Sequence, residues 1–203
     1  MGEARARRRA HERMLENHPP CIYCAGHDQA TTVEHMPPIM MFDRRQRPKG
    51  LEFPTCERCN QGTRLTDLVA SLLGRVYPDS NDDPQKKDLV KLLSAVSNNV
   101  PGLLEEMMVN EHGQYQARED IPKMPAGAAA LRANGPILVH HMRIFGAKLG
   151  LALHFEAHGS FVPNEGGVQP MYFTNVSAAK GELPMEIINL LPPPKTLRQG
   201  QKE

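Results

Sequence analysis

The sequence CIYC at residues 21–24 and the sequence CERC at residues 56–59 decide the fold, because they contain every cysteine of the chain. Each CxxC pair forms a tight turn that points two sulfurs inward, and two such turns complete a tetrahedral S4 site. Four thiolates leave no open position for water, so the spacing predicts a structural Zn2+ ion. The predicted ligands are Cys21, Cys24, Cys56 and Cys59.

A pair of redox dithiols is the alternative interpretation of these cysteines. A redox CxxC usually begins a helix that follows a strand, and two such motifs in this arrangement would be unusual. The zinc interpretation also accounts for all four cysteines at once. We therefore expect metal-bound thiolates in a reducing compartment, which favours the cytoplasm.

The charge of the 203-residue chain is unevenly distributed, although its formal net charge is only +1. One basic cluster lies within residues 5–13 and a second within residues 44–49. Such local clusters fit a confined contact with a polyanion better than a uniformly basic surface does. No apolar run approaches the ~20 residues that span a membrane, so we expect no membrane partner.

The residues between and around the two CxxC pairs predict short secondary-structure elements. The β-prone runs ATTVEH (30–35) and GLEFPTC (50–56) predict two strands joined by the basic loop DRRQRPKG (43–50). The segments GEARARRRAHERMLEN (2–17) and LTDLVASLLGRVY (65–77) predict helices on either side. Further on, ILVHHMRIFGAKLGLALHFEAHG (137–159) is the longest apolar-periodic segment, and Gly159 is placed to cap it.

The chain divides, on this basis, into four segments of an α+β protein. They are a basic N-terminal helix (1–20), a zinc-bound core (21–77), a helical segment (78–125) and a C-terminal α+β extension with a frayed tail (126–203). The last two segments could cover the core, bind substrate or provide a homodimer surface, and their sequence does not separate these roles.

The motifs CIYC, VEHMPP and PTCERCN, taken together, resemble the HNH endonucleases, which are ββα-metal nucleases with paired zinc knuckles. The resemblance covers about residues 20 to 70. It implies a zinc-stapled ββα nuclease core that hydrolyses phosphodiester bonds in DNA with a catalytic Mg2+ or Mn2+ ion. The alternative is a catalytically degenerate zinc module that binds nucleic acid or protein.

The resemblance also implies roles for individual residues. His35 corresponds to the general base, Glu34 to the metal-binding carboxylate and Asn60 to the residue that completes the metal site. An imidazole with a pKa of about 6.5 is suited to take a proton from water, and oxygen ligands suit a hard cation beside a phosphate. The expected phosphate contacts are Arg44, Arg45, Arg47, Lys49 and Arg58.

Two features of the sequence bear directly on this site. The family often has an Asn that orients the base at the position where this chain has Leu51. Adjacent residues of a strand also point to opposite faces, so Glu34 and His35 share a site only if the strand distorts. A separate histidine pair, His154 and His158, lies one helical turn apart, but it lacks the zinc-protease pattern and an evident third ligand.

Overall fold

The computed structural model describes residues 2–42, 46–48, 50–76, 82–108 and 131–172. These residues form six α-helices and two β-strands, which agrees with the predicted α+β class. The helices are α1 (Gly2–Asn17), α2 (Glu57–Gly62), α3 (Arg64–Leu73), α4 (Asp83–Asn99), α5 (Leu103–Met107) and α6 (Pro136–His158). The strands are β1 (Thr32–His35) and β2 (Glu52–Thr55).

The two strands form an antiparallel pair at the centre of the region between the CxxC motifs. Thr32 lies opposite Thr55, and His35 lies opposite Glu52. This pairing confirms the two predicted strands, although β1 lacks the first two residues of its predicted run and β2 lacks the first two and the last. The chain then runs from β2 through Cys56, which caps the N-terminus of α2, and so the hairpin is followed directly by helices.

Helix α3 connects the two hydrophobic clusters that hold the described part of the chain together. Val69 and Leu72 of α3 pack with residues of α4, α5 and α6 in one cluster. Ala70 of α3 packs in the other cluster with Ile22 of the first CxxC turn and Phe53 of β2. Because its side chains serve both clusters, α3 links the hairpin to the later helices.

Helix α6 belongs to the same core as the hairpin, although it lies far along the sequence. Its residues Phe145 and Ala152 are buried in the cluster that contains Ile22 and Phe53. The helix ends at Gly159, which adopts a left-handed conformation with φ 68° and donates its N–H to the carbonyl of Phe155. This ending confirms the predicted capping glycine. The packing shows that the predicted C-terminal extension contributes directly to the core that contains the first CxxC turn and the hairpin.

Within the described residues, no helix is both long and apolar enough to cross a membrane.

Candidate metal and active sites

The four cysteines lie together as their spacing predicts. Their sulfur atoms are all within 4.8 Å of one another, with Cys21 and Cys56 buried and Cys24 and Cys59 half-buried. A tetrahedral set of four thiolates is the ligand set that Zn2+ takes in structural sites. The cluster can therefore hold a structural metal ion such as zinc, and it ties the turn before β1 to the start of α2.

The backbone around the cluster supplies hydrogen bonds to the sulfur atoms. The N–H of Asp28 donates to the Cys24 sulfur and the N–H of Cys59 donates to the Cys56 sulfur, each at 3.4 Å. The first turn reverses through Ala25 and Gly26, which have φ values of 50° and 76°. N–H donors directed at sulfur stabilise the thiolate form that binds a metal.

The ionisation of the thiols also favours a bound cation. Burial opposes ionisation of Cys21, but hydrogen bonds from the backbone at Cys56 and Tyr23 and from Thr55 outweigh it and lower its pKa to about 7. Burial and the neighbouring sulfurs instead raise the pKa of Cys59. One thiolate forms readily, and a further thiolate beside it needs a positive charge to stabilise it.

The first predicted catalytic residue, Glu34, points into the core. It is 5% exposed, and its carboxylate forms an ion pair with the Lys148 ammonium, which is 4% exposed. The same ammonium contacts both carboxylate oxygens of Asp67, at 3.0 and 2.8 Å. Residues of β1, α3 and α6 thus form one largely buried cluster, the Glu34–Asp67–Lys148 triad.

The triad contains two carboxylates and only one ammonium group, so it binds protons more readily than isolated carboxylates do. Burial raises the pKa of Glu34 to about 7, against the opposing attraction of Lys148. Burial also raises the pKa of Asp67. The Oε2 atom of Glu34 is buried and has no hydrogen-bond partner among the described residues. No hydrogen bond from the described part of the chain therefore offsets the desolvation of that oxygen.

Tyr23 closes the triad on the side of the first CxxC turn. The Lys148 ammonium lies 5.8 Å from the centre of the Tyr23 ring, within the range of a cation–π contact. Burial, followed by the charges of Glu34 and Asp67, raises the pKa of the Tyr23 hydroxyl well above its usual value. The Tyr23 hydroxyl therefore stays neutral beside the triad.

The second predicted catalytic residue, His35, projects from the opposite face of β1. Its Nε2 atom lies 3.5 Å from Oε1 of Glu52, the residue directly across the hairpin. The other oxygen of Glu52 lies 3.7 Å from Nε2 of His11, which α1 contributes. The ligand atoms of these three residues all lie within 4.8 Å of one another, and we call them the His11–His35–Glu52 cluster.

Arg47 lies at the edge of the His11–His35–Glu52 cluster rather than in open solvent. Its guanidinium lies 3.5 Å from Oε1 of Glu52 and donates to the carbonyl of Leu51 at 2.8 Å, and its side chain is 8% exposed. Arg58, in contrast, is 71% exposed and pairs with Asp28 at 2.9 Å. Of the predicted phosphate contacts, Arg58 is accessible to a ligand, and Arg47 is largely covered.

The third predicted catalytic residue, Asn60, lies on the face of β1 that carries Glu34. Its side-chain nitrogen donates to the hydroxyl of Thr32 at 3.0 Å. Thr32 and Glu34 are two residues apart in one strand, so they project to the same face. The structure therefore brings Asn60 and Glu34 to one face and leaves His35 on the other. A divalent cation could use Glu34 as a ligand only if Lys148 moved away.

Three of the predicted phosphate contacts, Arg44, Arg45 and Lys49, lie outside the described residues. The pair His154 and His158 places its rings 4.6 Å apart, but among the described residues no third ligand joins them. His141 contacts the hydroxyl of Thr66 at 3.1 Å through Nδ1, and burial lowers its pKa. Neither arrangement resembles a catalytic zinc site.

Several residues of these sites had no signal in the sequence. From the sequence alone, Asp67 and Lys148 would be assigned to the solvent-exposed faces of amphipathic helices. His11 would be assigned as one polar residue of a cationic helix. Glu52 could have been found from the strand register, because it directly faces His35 once the hairpin is drawn. Lys148 is separated from Glu34 by most of the chain, so only the packing of α6 identifies it.

Comparisons with known proteins identify no relative, since no protein-family model, curated protein or solved structure matches the chain.

Proposed function

We propose that the chain is a metal-dependent endonuclease that hydrolyses phosphodiester bonds in DNA, with His35 as the general base. The observation that carries the proposal is the pairing of His35 with Glu52, at 3.5 Å across a hairpin that the cysteine cluster holds against α2. The resemblance of the motifs to HNH endonucleases supplies the reaction class. Glu52 supplies an orienting group, which the chain lacks at Leu51.

The chemistry assigned to the chain's own residues begins with His35. Its imidazole takes a proton from the attacking water, and the Glu52 carboxylate holds the ring in place and stabilises the imidazolium that forms. Arg58 contacts the phosphate backbone of the DNA without reading its sequence. His11 and Arg47 surround the same carboxylate and restrict its movement.

A divalent cation such as Mg2+ or Mn2+ would neutralise the phosphate and stabilise the departing 3′-oxygen. The residues proposed to hold it are Glu34 and Asn60, which lie on one face of β1. Lys148 already pairs with Glu34 there, so cation binding requires Lys148 to leave that carboxylate. Because His35 lies on the other face, the proposal also requires the end of β1 to rearrange around the substrate.

One observation favours the second candidate function, a zinc-stabilised module that binds nucleic acid without cleaving it. The Lys148 ammonium occupies the carboxylate that would hold the catalytic cation, and both side chains are almost fully buried. If Lys148 always pairs with Glu34, the catalytic cation cannot bind there. The zinc-bound core would then fold but would not hydrolyse DNA. In that case Arg58 and the basic clusters would still bind a polyanion.

A plasmid-cleavage assay separates the two functions. The full zinc-loaded chain is incubated with supercoiled plasmid and Mg2+ or Mn2+, alongside the His35→Ala variant and the control His140→Ala, which changes an exposed histidine of α6. We expect cleavage by the parent and the control, and a loss of roughly 10²–10⁴-fold in His35→Ala. Cleavage at the parental rate by His35→Ala would contradict the proposal. A parent that binds DNA but remains inert with either metal supports the second function.

A further inference from the structure

The His11–His35–Glu52 cluster has the composition of a metal site that is separate from the four cysteines. It brings two imidazoles and one carboxylate together from α1, β1 and β2, with their ligand atoms within 4.8 Å of one another. We propose that these three residues form a second metal site, which binds a divalent first-row transition-metal ion such as Zn2+ or Co2+.

The distances within the cluster are those of ion pairs rather than of hydrogen bonds, and they also fit two ligands of one ion. The two imidazole nitrogens lie 3.5 and 3.7 Å from the oxygens of Glu52. N–H···O hydrogen bonds in proteins are typically about 2.7–3.2 Å long. Two ligands that each lie about 2.0–2.1 Å from a tetrahedral zinc ion are about 3.4 Å apart. A small inward movement of each side chain would therefore complete the site.

The surroundings of the cluster also favour a bound ion. The Nε2 atom of His11 is buried and has no hydrogen-bond partner among the described residues. A buried nitrogen in this state is stabilised when a metal accepts its lone pair. The side chains of His11, His35 and Glu52 are 28%, 18% and 24% exposed. They are thus held by the fold, while an ion can still enter from solvent.

The ligand types determine which ions the site would take. Two imidazoles select transition metals over Mg2+, which prefers oxygen ligands. Three protein ligands leave at least one coordination position for water or an anion, unlike the closed set of four thiolates. The second site would therefore differ from the cysteine site in its visible spectrum when a metal is bound. It would also prefer different metal ions from the face of β1 that carries Glu34 and Asn60.

The charge of Arg47 opposes metal binding at this site, so removing that charge should change the metal affinity. Its guanidinium lies 3.5 Å from the same Glu52 oxygen that faces His35. A cation on that oxygen and the arginine charge repel each other, so binding is weaker than the ligand set alone would allow. Replacing the charge with a neutral side chain should strengthen metal binding.

Occupancy of the site would also affect catalysis, a consequence that rests on the proposed function. An ion bound to Nε2 of His35 occupies a nitrogen of the proposed general base and fixes its ring. Transition-metal ions in excess should then inhibit the Mg2+-dependent cleavage of DNA. The same inhibition should disappear in His11→Ala, which retains His35 but lacks one of the three ligands.

The test is a Co2+ titration of the full chain after the cysteine site has been loaded with zinc. Co2+ bound to imidazole and carboxylate gives weak visible bands, whereas Co2+ bound to thiolates gives intense charge-transfer absorption, so the two sites are distinguished. We expect one Co2+ per chain with the weak bands. We also expect binding at least roughly tenfold weaker in His11→Ala and Glu52→Gln, unchanged in His140→Ala and tighter in Arg47→Gln.

Circular dichroism of each variant establishes that its helices are retained. The two ligand variants, His11→Ala and Glu52→Gln, change different elements, α1 and β2, so one local defect cannot explain a loss of binding in both. The proposal is overturned if the parent shows no weak-band binding at millimolar Co2+, or if both ligand variants bind Co2+ as the parent does. The titration contains no DNA, so its failure leaves the plasmid-cleavage result unaffected. Conversely, an inert nuclease that binds Co2+ in this way supports the metal site alone.

Discussion

Glu34 and His35 are consecutive residues of β1, yet Glu34 lies inside the core against Lys148 while His35 faces Glu52 on the outer side. The strand alternates without distortion, so the two side chains enter different chemical environments. Glu34 is part of a largely buried triad in which desolvation raises the pKa of both carboxylates, Glu34 and Asp67. His35 is part of a half-exposed cluster of titratable groups.

Replacing Lys148 with Met should strongly destabilise the protein. The change leaves the buried Glu34 and the partly buried Asp67 without their shared cation, and breaking a buried ion pair in this way typically costs about 3–5 kcal/mol. Urea unfolding at neutral pH measures the change in the free energy of unfolding. Lys91→Met is the matched control. Lys91 is 73% exposed, so its replacement should change the free energy of unfolding only slightly.

The double variant Lys148→Met, Glu34→Gln should recover part of that loss, because it removes one of the two stranded carboxylates. Equal stability of the parent and Lys148→Met would show that the triad does not form.

The melting temperature in the presence of Mn2+ tests whether Glu34 can bind a cation. If Glu34 can hold a divalent cation, Mn2+ should raise the melting temperature of Lys148→Met and leave that of the parent unchanged.

The stability of the parent should fall between pH 5 and pH 8 through Glu34. Its pKa rises from 4.5 to about 7 on folding, so the folded state binds the proton more tightly than the unfolded chain does. The resulting stabilisation is fully present below about pH 4.5 and is lost as the pH rises through about 7. Between pH 5 and pH 8 the loss should amount to about 2–3 kcal/mol.

Glu34→Gln isolates this contribution, because the amide does not titrate. Urea unfolding of both proteins at pH 5 and pH 8, with zinc held in excess, should give a parent whose stability decreases more steeply than that of the variant. Parallel pH dependences in the two proteins would rule out Glu34 as the titrating group.

Removing zinc should unfold the described core rather than loosen it locally. The first CxxC turn carries Ile22 into the cluster with Phe53 and Phe145, so losing the metal also loses buried apolar contacts. Structural zinc sites contribute about 10–16 kcal/mol of apparent binding free energy in small domains, which is comparable with the total stability of a domain. Chelation should abolish cooperative thermal unfolding, and added zinc should restore it. Cooperative unfolding of a variant with all four cysteines changed to Ser would contradict the structural role of zinc.

Glu52→Gln should slow DNA cleavage by roughly tenfold or more while leaving DNA affinity unchanged. The amide keeps the shape of the carboxylate but no longer stabilises the imidazolium of His35 electrostatically. Single-turnover cleavage rates and separate binding measurements distinguish this positioning role from a loss of DNA binding. Glu57→Gln, at an exposed position of α2, serves as the control and should cleave like the parent. If Glu52→Gln cleaved at the parental rate, Glu52 would not orient the base.

Much of the local structure could be predicted from the sequence because it depends on neighbouring residues. Each CxxC turn needs only four consecutive residues, and the preference of Zn2+ for four thiolates predicts that the two turns meet in one sulfur cluster. The helix over residues 2–17 matches its predicted bounds, and the glycine that ends α6 was recognisable from its position alone. The two strands were likewise evident from β-prone runs bounded by Pro and Gly.

The partners of the predicted catalytic residues were decided by tertiary packing. Lys148 meets Glu34 because α6 packs along α3, and His11 meets Glu52 because α1 lies against the hairpin. These contacts join segments that are distant in the chain, and no local propensity encodes them. Sequence alone thus determined where the cysteines, strands and main helices lie. The tertiary structure decided that Glu34 is desolvated beside an ammonium while His35 remains near the surface, because burial and charge pairing depend on which helices pack against each face of β1.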